Sequence, residues 1–192
     1  MRVLVTGATG FTGPYVVREF LNRGASVRCF VRPSSETSAL PLDSIEVAQG
    51  DLGDTVSLTA ALSGVDVLAN IASLGFGHAP SIIGAARAAG VARAIFISTT
   101  AIFTSLNAGS KSVRVAAEAA IAESGLAYTI LRPTMIYGSP RDRNMWSLVQ
   151  FLRKWPVVPI VGSGQYLQQP VFVADVAAAA LTVTSRKIMR GA

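Results

Sequence analysis

Met1-Arg-Val-Leu-Val-Thr-Gly-Ala-Thr-Gly-Phe-Thr-Gly13 opens the chain and decides how the rest is read. Val3, Leu4 and Val5 form a short uncharged apolar run, the mark of a strand buried on both faces. Thr6 to Gly13 then sets glycines at positions 7, 10 and 13, and from Pro14 onward Val16, Val17, Phe20 and Leu21 recur at helical spacing. Each glycine has a physical use in a strand–turn–helix unit. Gly7 turns the chain sharply off the strand, Gly10 keeps side chains away from an approaching pyrophosphate, and Gly13 lets the helix lie close to the sheet. The helix start adds unpaired N–H groups and a positive dipole end. The pattern points to a bound dinucleotide, with a plain tight turn as the alternative.

Thr6-Gly-x-x-Gly-x-x-Gly13 resembles the cofactor fingerprint of the extended and atypical short-chain dehydrogenase/reductases, the epimerase/dehydratase-like and NmrA-like proteins. The resemblance implies a Rossmann fold and a nicotinamide cofactor, with Gly7, Thr9, Gly10, Phe11, Thr12 and Gly13 as cofactor-binding residues.

Composition sets the limits. A chain of 192 residues suits one domain, and 51% hydrophobic against 15% charged residues supports a large core rather than disorder. No apolar run approaches the ~18–20 residues of a membrane span, and no leader pattern precedes the opening strand. The expected location is the cytoplasm, where the single Cys29 stays reduced. The net charge of +6 raises nucleic acid as a partner. Its densest groups, Arg141/Arg143, Arg153/Lys154 and Arg186/Lys187/Arg190, are not interleaved with aromatics, so a solvated basic face serving an anionic cofactor is preferred. One His and one Cys far apart give no metal cluster, and no metal is expected. A homodimer is compatible with the sequence.

Along the chain, the first helix is expected over 14–23 and the second strand over 25–31. An acid at that strand's end would accept bonds from the adenosine ribose and repel a 2′-phosphate. Val31-Arg32-Pro33-Ser34-Ser35 offers none before Glu36, so Arg32 becomes the candidate partner of a 2′-phosphate. NADP(H) is therefore favoured over NAD(H), the alternative being an Arg32 that is merely exposed. A third strand over 45–48 leads into Gln49-Gly-Asp-Leu52. By resemblance Asp51 and Leu52 lie along the adenine, although Asp51 also reads as a cap for a helix over 54–62. A fourth strand over 65–70 runs into a small-residue turn that brings Ile71 and Ala72 under the nicotinamide ribose. His78, the one histidine, reads as a surface residue at a helix start rather than a catalyst.

The fifth strand, over 91–98, ends in Ser98-Thr99-Thr100. The resemblance counts Ser98 with the cofactor residues and makes Thr100, then Thr99, the hydroxyl that bonds a substrate oxygen; strand-end capping is the alternative. The family's Tyr-x-x-x-Lys pair should follow on the next helix, over 109–124. There the Lys binds the ribose and lowers the Tyr pKa. Counting back from Ala116-Ala-Glu118 puts Arg114 in the Lys position and Ser110 in the Tyr position. Arg114 can hold the ribose and enters the catalytic candidates, but a guanidinium does not readily pass a proton.

Ser124-Gly-Leu-Ala-Tyr-Thr-Ile-Leu-Arg-Pro-Thr-Met-Ile-Tyr-Gly138 resembles the family's sixth strand and exit turn, so Pro133, Thr134 and Met135 pass near the carboxamide, with Arg132 and Tyr137 structural. Beyond it come a helical segment within 141–154, with Trp146 and Trp155 as pocket or core residues, a strand over 157–161 and a turn at 162–164. Val171 to Ala177 resembles the family's last strand-to-helix element, with Asp175 as its cap. The chain ends soon afterwards, where family members continue; a fragment or a reduced lobe is expected.

The resulting expectation is an α/β doubly wound parallel sheet in order 3-2-1-4-5-6. Residues 1–138 form the Rossmann core, and 139–192 a partial substrate lobe in the same compact domain. In function it is an NAD(P)-binding, epimerase/dehydratase-like oxidoreductase acting on a small organic or sugar-nucleotide substrate. The alternative is a non-catalytic NADP(H)-binding redox sensor or partner-docking protein.

Overall fold

The computed structural model describes residues 1–104, 109–142, 145–155, 157, 163, 165 and 169–185. Most of the expected 157–161 strand and 162–164 turn, with Arg143, Arg186, Lys187 and Arg190, lies outside them.

The elements run β1 (Arg2–Thr6), α1 (Gly13–Asn22), β2 (Ser26–Val31), β3 (Glu46–Gln49), α2 (Thr55–Ala61), β4 (Val67–Asn70) and α3 (Ala79–Ala88). They continue through β5 (Arg93–Ile97), α4 (Lys111–Glu123), β6 (Tyr128–Leu131), β7 (Ile136–Tyr137), α5 (Met145–Lys154), β8 (Val171–Phe172) and α6 (Val173–Ser185). Six strands form one parallel sheet in the order β3-β2-β1-β4-β5-β6, as the motif reading requires.

The central strands β1, β4 and β5 carry apolar runs because each feeds two cores. Successive side chains point to opposite faces of a sheet. Val3, Val5, Val67, Ala69 and Ile95 pack on one face with Val17 and Phe20 of α1 and Ala177 and Leu181 of α6. Leu4, Leu68, Ala94 and Phe96 pack on the other with Leu58 of α2, Ile82 of α3 and Ile121 of α4. Cys29 lies in the first of these cores, where burial pushes its thiol up to about 12 and leaves it an unreactive hydrophobe.

Polar side chains fasten the ends of the strands. Thr6 Oγ1 donates to Asn70 Oδ1 at 2.7 Å, and Asn70 Nδ2 donates to the Ala72 carbonyl at 3.0 Å. Both side chains are wholly buried, and they join β1 to β4 where the strand order reverses. On the far side, Arg132 after β6 grips Glu118 of α4 through its Nε (2.9 Å) and Nη2 (2.6 Å). Arg132 is thus structural, as expected.

Several expectations change. Asp54, not Asp51, caps α2 by accepting from the Val56 N–H at 3.0 Å, while Asp51 closes a local turn onto the Gly53 N–H at 2.8 Å. Asp175 is the third residue of α6, because the helix starts directly from β8; its carboxylate meets the positive helix end from within the first turn instead of capping it. The tryptophans are not core. α5 has no buried residue, Arg153 lies 5.7 Å over the Trp146 ring, and Trp155 is 58% exposed. Asp142, itself buried, starts α5 by accepting from the Trp146 N–H at 2.7 Å. The parallel pairing of β7 with β8 was not foreseen, since two-residue strands carry no readable alternation.

Asn70→Ala strands the buried Thr6 hydroxyl, so the expected loss is about 1–3 kcal/mol of unfolding free energy, measured by urea denaturation.

Candidate cofactor site

The turn after β1 is built of backbone packed against backbone. Gly7 has φ +66°, and a Cβ there would lie 2.5 Å from the Ala72 nitrogen. Its carbonyl accepts from the Gly10 N–H at 3.0 Å, which closes the turn. A Cβ on Gly13 would run into the Gly7 and Ala8 carbonyl oxygens. Gly13 therefore serves the turn's own closure, a correction to the expected helix-to-sheet approach. A Cβ on Gly10 would meet only the Gly7 oxygen, at 3.3 Å, so its outer side is open. Thr12, the residue before α1, makes no side-chain cap bond, so the Gly13 and Tyr15 N–H groups of the first turn have no cap from it and suit an anion.

In front of this turn, at the carboxyl ends of β1, β2, β3 and β4, lies a cleft of about 520 Å³. Gly7, Thr9 and Gly10 line it from the turn. Arg32 and Ser35 line it from the β2 exit, Asp51 and Leu52 from the β3 exit, and Ile71 and Ala72 from the β4 exit. Arg32 is exposed and, among the described residues, enters no ion pair. The nearest acid in sequence, Glu36, accepts from the Ser38 N–H at 2.9 Å and is not part of the wall. That N–H and the Ser38 hydroxyl hold its carboxyl below the usual range. The β2 edge of the cleft is cationic.

The other expected residues stand apart from this cleft wall. Phe11 packs edge-on against Tyr15, with ring centroids 6.4 Å apart, and Thr12 and Gly13 begin α1. Ser98, Thr99 and Thr100 follow β5. Ser98 Oγ is buried and, among the described residues, has no hydrogen-bond partner, so it is free to meet a ligand atom. Thr99 Oγ1 accepts from the Ala101 N–H at 3.2 Å, so it does the capping, and the Thr100 hydroxyl is the one this turn does not use. The Thr100 N–H donates to the Pro133 carbonyl at 3.1 Å, joining the exits of β5 and β6. Thr134 gives its hydroxyl proton to the Gln169 carbonyl, and the Met135 carbonyl accepts from the Val171 N–H at 2.9 Å.

Arg114 crosses from α4 to the β4 exit. A Cβ on Gly75 would come within 3.0 Å of its Nη2, so the guanidinium lies against that glycine, while its Nε faces Ser110 Oγ at 3.4 Å. Arg114 and Ser110 are therefore neighbours, as a Lys and Tyr at that spacing would be. Tyr137 packs against Phe172 at 5.5 Å and belongs to β7, away from α4.

Two aromatics are among the wall residues that sequence reasoning missed, and it misplaced a histidine. Phe30 points into the cleft from β2, and Phe76 from the turn after β4. His78 precedes α3 as expected, yet it lines the cleft and is not a plain surface residue. The signal was Gly75-Phe-Gly77, since Gly77 at φ +82° folds the chain back towards the site.

These residues fit a dinucleotide. The outer side of the glycine turn carries no side chain at Gly10, the β2 edge is cationic, and a buried hydroxyl lies beyond β5. Comparisons with known proteins agree. A family model described as NAD(P)H-binding matches residues 7–150. The chain is 36% identical over 138 residues to quinone oxidoreductase 2 of Escherichia coli, covering 68% of this chain and 47% of that protein. A solved structure of the E. coli NADPH-dependent quinone oxidoreductase in complex with NADPH superposes with a TM-score of 0.78 at 31% identity, covering 98% of this chain and 65% of that one. UDP-glucose 4-epimerase of Thermotoga maritima shares the fold, with a TM-score of 0.79 at 21% identity over 96% of this chain and 74% of that one. The chain spans about half to two thirds of the length of the quinone oxidoreductase it matches. It belongs to the NAD(P)H-binding family, within the short-chain dehydrogenase/reductase-like superfamily.

Proposed function

We infer that the chain is an NADPH-dependent oxidoreductase that reduces small quinone-type carbonyl acceptors. The observation that carries the cofactor preference is Arg32, a cation on the cleft wall with no ion pair among the described residues, where an NAD-selective site would hold an acid. The name of the E. coli relative points the same way.

The acceptor class follows from the missing acid. The bound nicotinamide supplies a hydride. Gly7, Gly10 and the start of α1 would hold its diphosphate, and Arg32 with Ser35 its 2′-phosphate. Arg114 stands where it can hold a ribose hydroxyl or stabilise a negative oxygen on the acceptor, but it does not give up a proton. A quinone suits this arrangement. Its two-electron reduced oxygen survives as an anion beside a guanidinium and takes its proton from water. A simple ketone needs a proton from the protein as the hydride arrives, and neither Ser110 nor Arg114 is a good source.

One observation favours a second reading, a non-catalytic NADP(H) sensor: Ser110 and Arg114 fill the positions of the family's proton-transfer pair. Turnover separates the two. With NADPH and benzoquinone or naphthoquinone, loss of the reduced-nicotinamide absorbance at a rate proportional to protein is expected; tight NADPH binding without turnover supports the sensor.

Arg32→Ala is expected to weaken NADPH binding by about tenfold or more while leaving NADH nearly unchanged, read by calorimetry. Equal effects on both cofactors would remove the 2′-phosphate role. Gly7→Ala forces a side chain into a left-handed position costing about 1–2 kcal/mol and against the Ala72 backbone. The expected outcome is a lower melting temperature together with an NADPH affinity reduced by about tenfold or more.

A further inference from the structure

The lone histidine stands at the adenosine end of the cleft, on a wall it shares with Asp51. Its backbone carbonyl accepts from the Ile82 N–H at 3.0 Å as α3 starts, and its side chain makes no cap bond. Both polar groups lie close to Gly53. A Cβ there would come 3.2 Å from Asp51 Oδ1 and 3.6 Å from His78 Nδ1. The nearby carboxylate of Asp54 is committed to the Val56 N–H, and Asp51 Oδ1 already accepts from the Gly53 N–H, which leaves Asp51 Oδ2 for a ligand. Phe30 and Leu52 add apolar surface to the same end, suited to a flat ring.

A carboxylate only accepts hydrogen bonds, and a neutral imidazole can donate one. An acceptor and a donor side by side complement adenine, whose amino group donates next to a ring nitrogen that accepts. They oppose hypoxanthine, whose oxygen accepts next to a ring N–H that donates. We propose that His78 selects adenine as the base of the bound dinucleotide by donating to a ring nitrogen while Asp51 takes the amino proton. The inference rests on the reading that this cleft holds NADPH with its adenosine half at the exits of β2 and β3.

The experiment measures binding of NADPH and of its deaminated, hypoxanthine-bearing analogue to the wild type, His78→Phe and His78→Gln, with a melting curve for each. The wild type should prefer NADPH by about tenfold. His78→Phe keeps the ring but loses the N–H; it should weaken NADPH by about three- to tenfold and leave the analogue within about twofold. His78→Gln, with an amide donor, should recover part of the preference. Equal weakening of both cofactors, or an unchanged ratio, would overturn the role of His78 while leaving the cofactor reading standing. Failure of the wild type to bind either would overturn that reading and the inference with it.

Discussion

The site depends on how closely two stretches of backbone approach at the point where the strand order reverses. Gly7 leaves β1 so near the Ala72 amide that no side chain fits between them. The buried Thr6–Asn70 hydrogen bond holds the two strands in the register that permits this contact. With that distance set, the Gly7–Gly13 turn closes on itself, α1 starts with bare amides, and the β4 exit becomes the opposite wall of a cleft. An anion bound there meets fixed dipoles that need no rearrangement, the general advantage of a helix start as a phosphate site.

Charge is placed with the same economy. Arg32 stands at the β2 edge, and Glu36, a few residues on, is turned to the Ser38 amide. Across the sheet, Glu118 is buried but gripped by Arg132, so α4 is anchored and Arg114 is carried to the glycine of the β4 exit. Ser110 and Arg114 meet four residues apart at the start of α4. Such a pair offers hydrogen bonding and positive charge but no ready proton transfer.

Much of this was legible in the residues. Val3 to Val5 alternate between two buried faces, so the run could only be an interior strand, and the glycine spacing located the switch point. Arg32, Asp51, Ile71 and Ala72 line one cleft, because strand exits in a parallel sheet converge on one edge. What failed to show were features made by tertiary packing. His78 looked like a helix-start surface residue, because Gly75-Phe-Gly77 marks a turn without telling where the left-handed Gly77 sends the chain. The Thr6–Asn70 bond joins residues 64 positions apart, and pattern reading cannot see such a pair. Asp51 was read as the cap of the helix after β3, and the hydrogen bonds give that role to Asp54 instead.

The central claim is that an anionic dinucleotide lies across the amides following β1. Amide hydrogen exchange with and without NADPH tests it most directly. Slower exchange is expected on NADPH addition at Gly7–Gly13, at Gly50–Leu52 and at Ile71–Ser73, three segments that contribute to the cleft wall. Unchanged exchange in the glycine turn, or protection confined to a different surface, would contradict it.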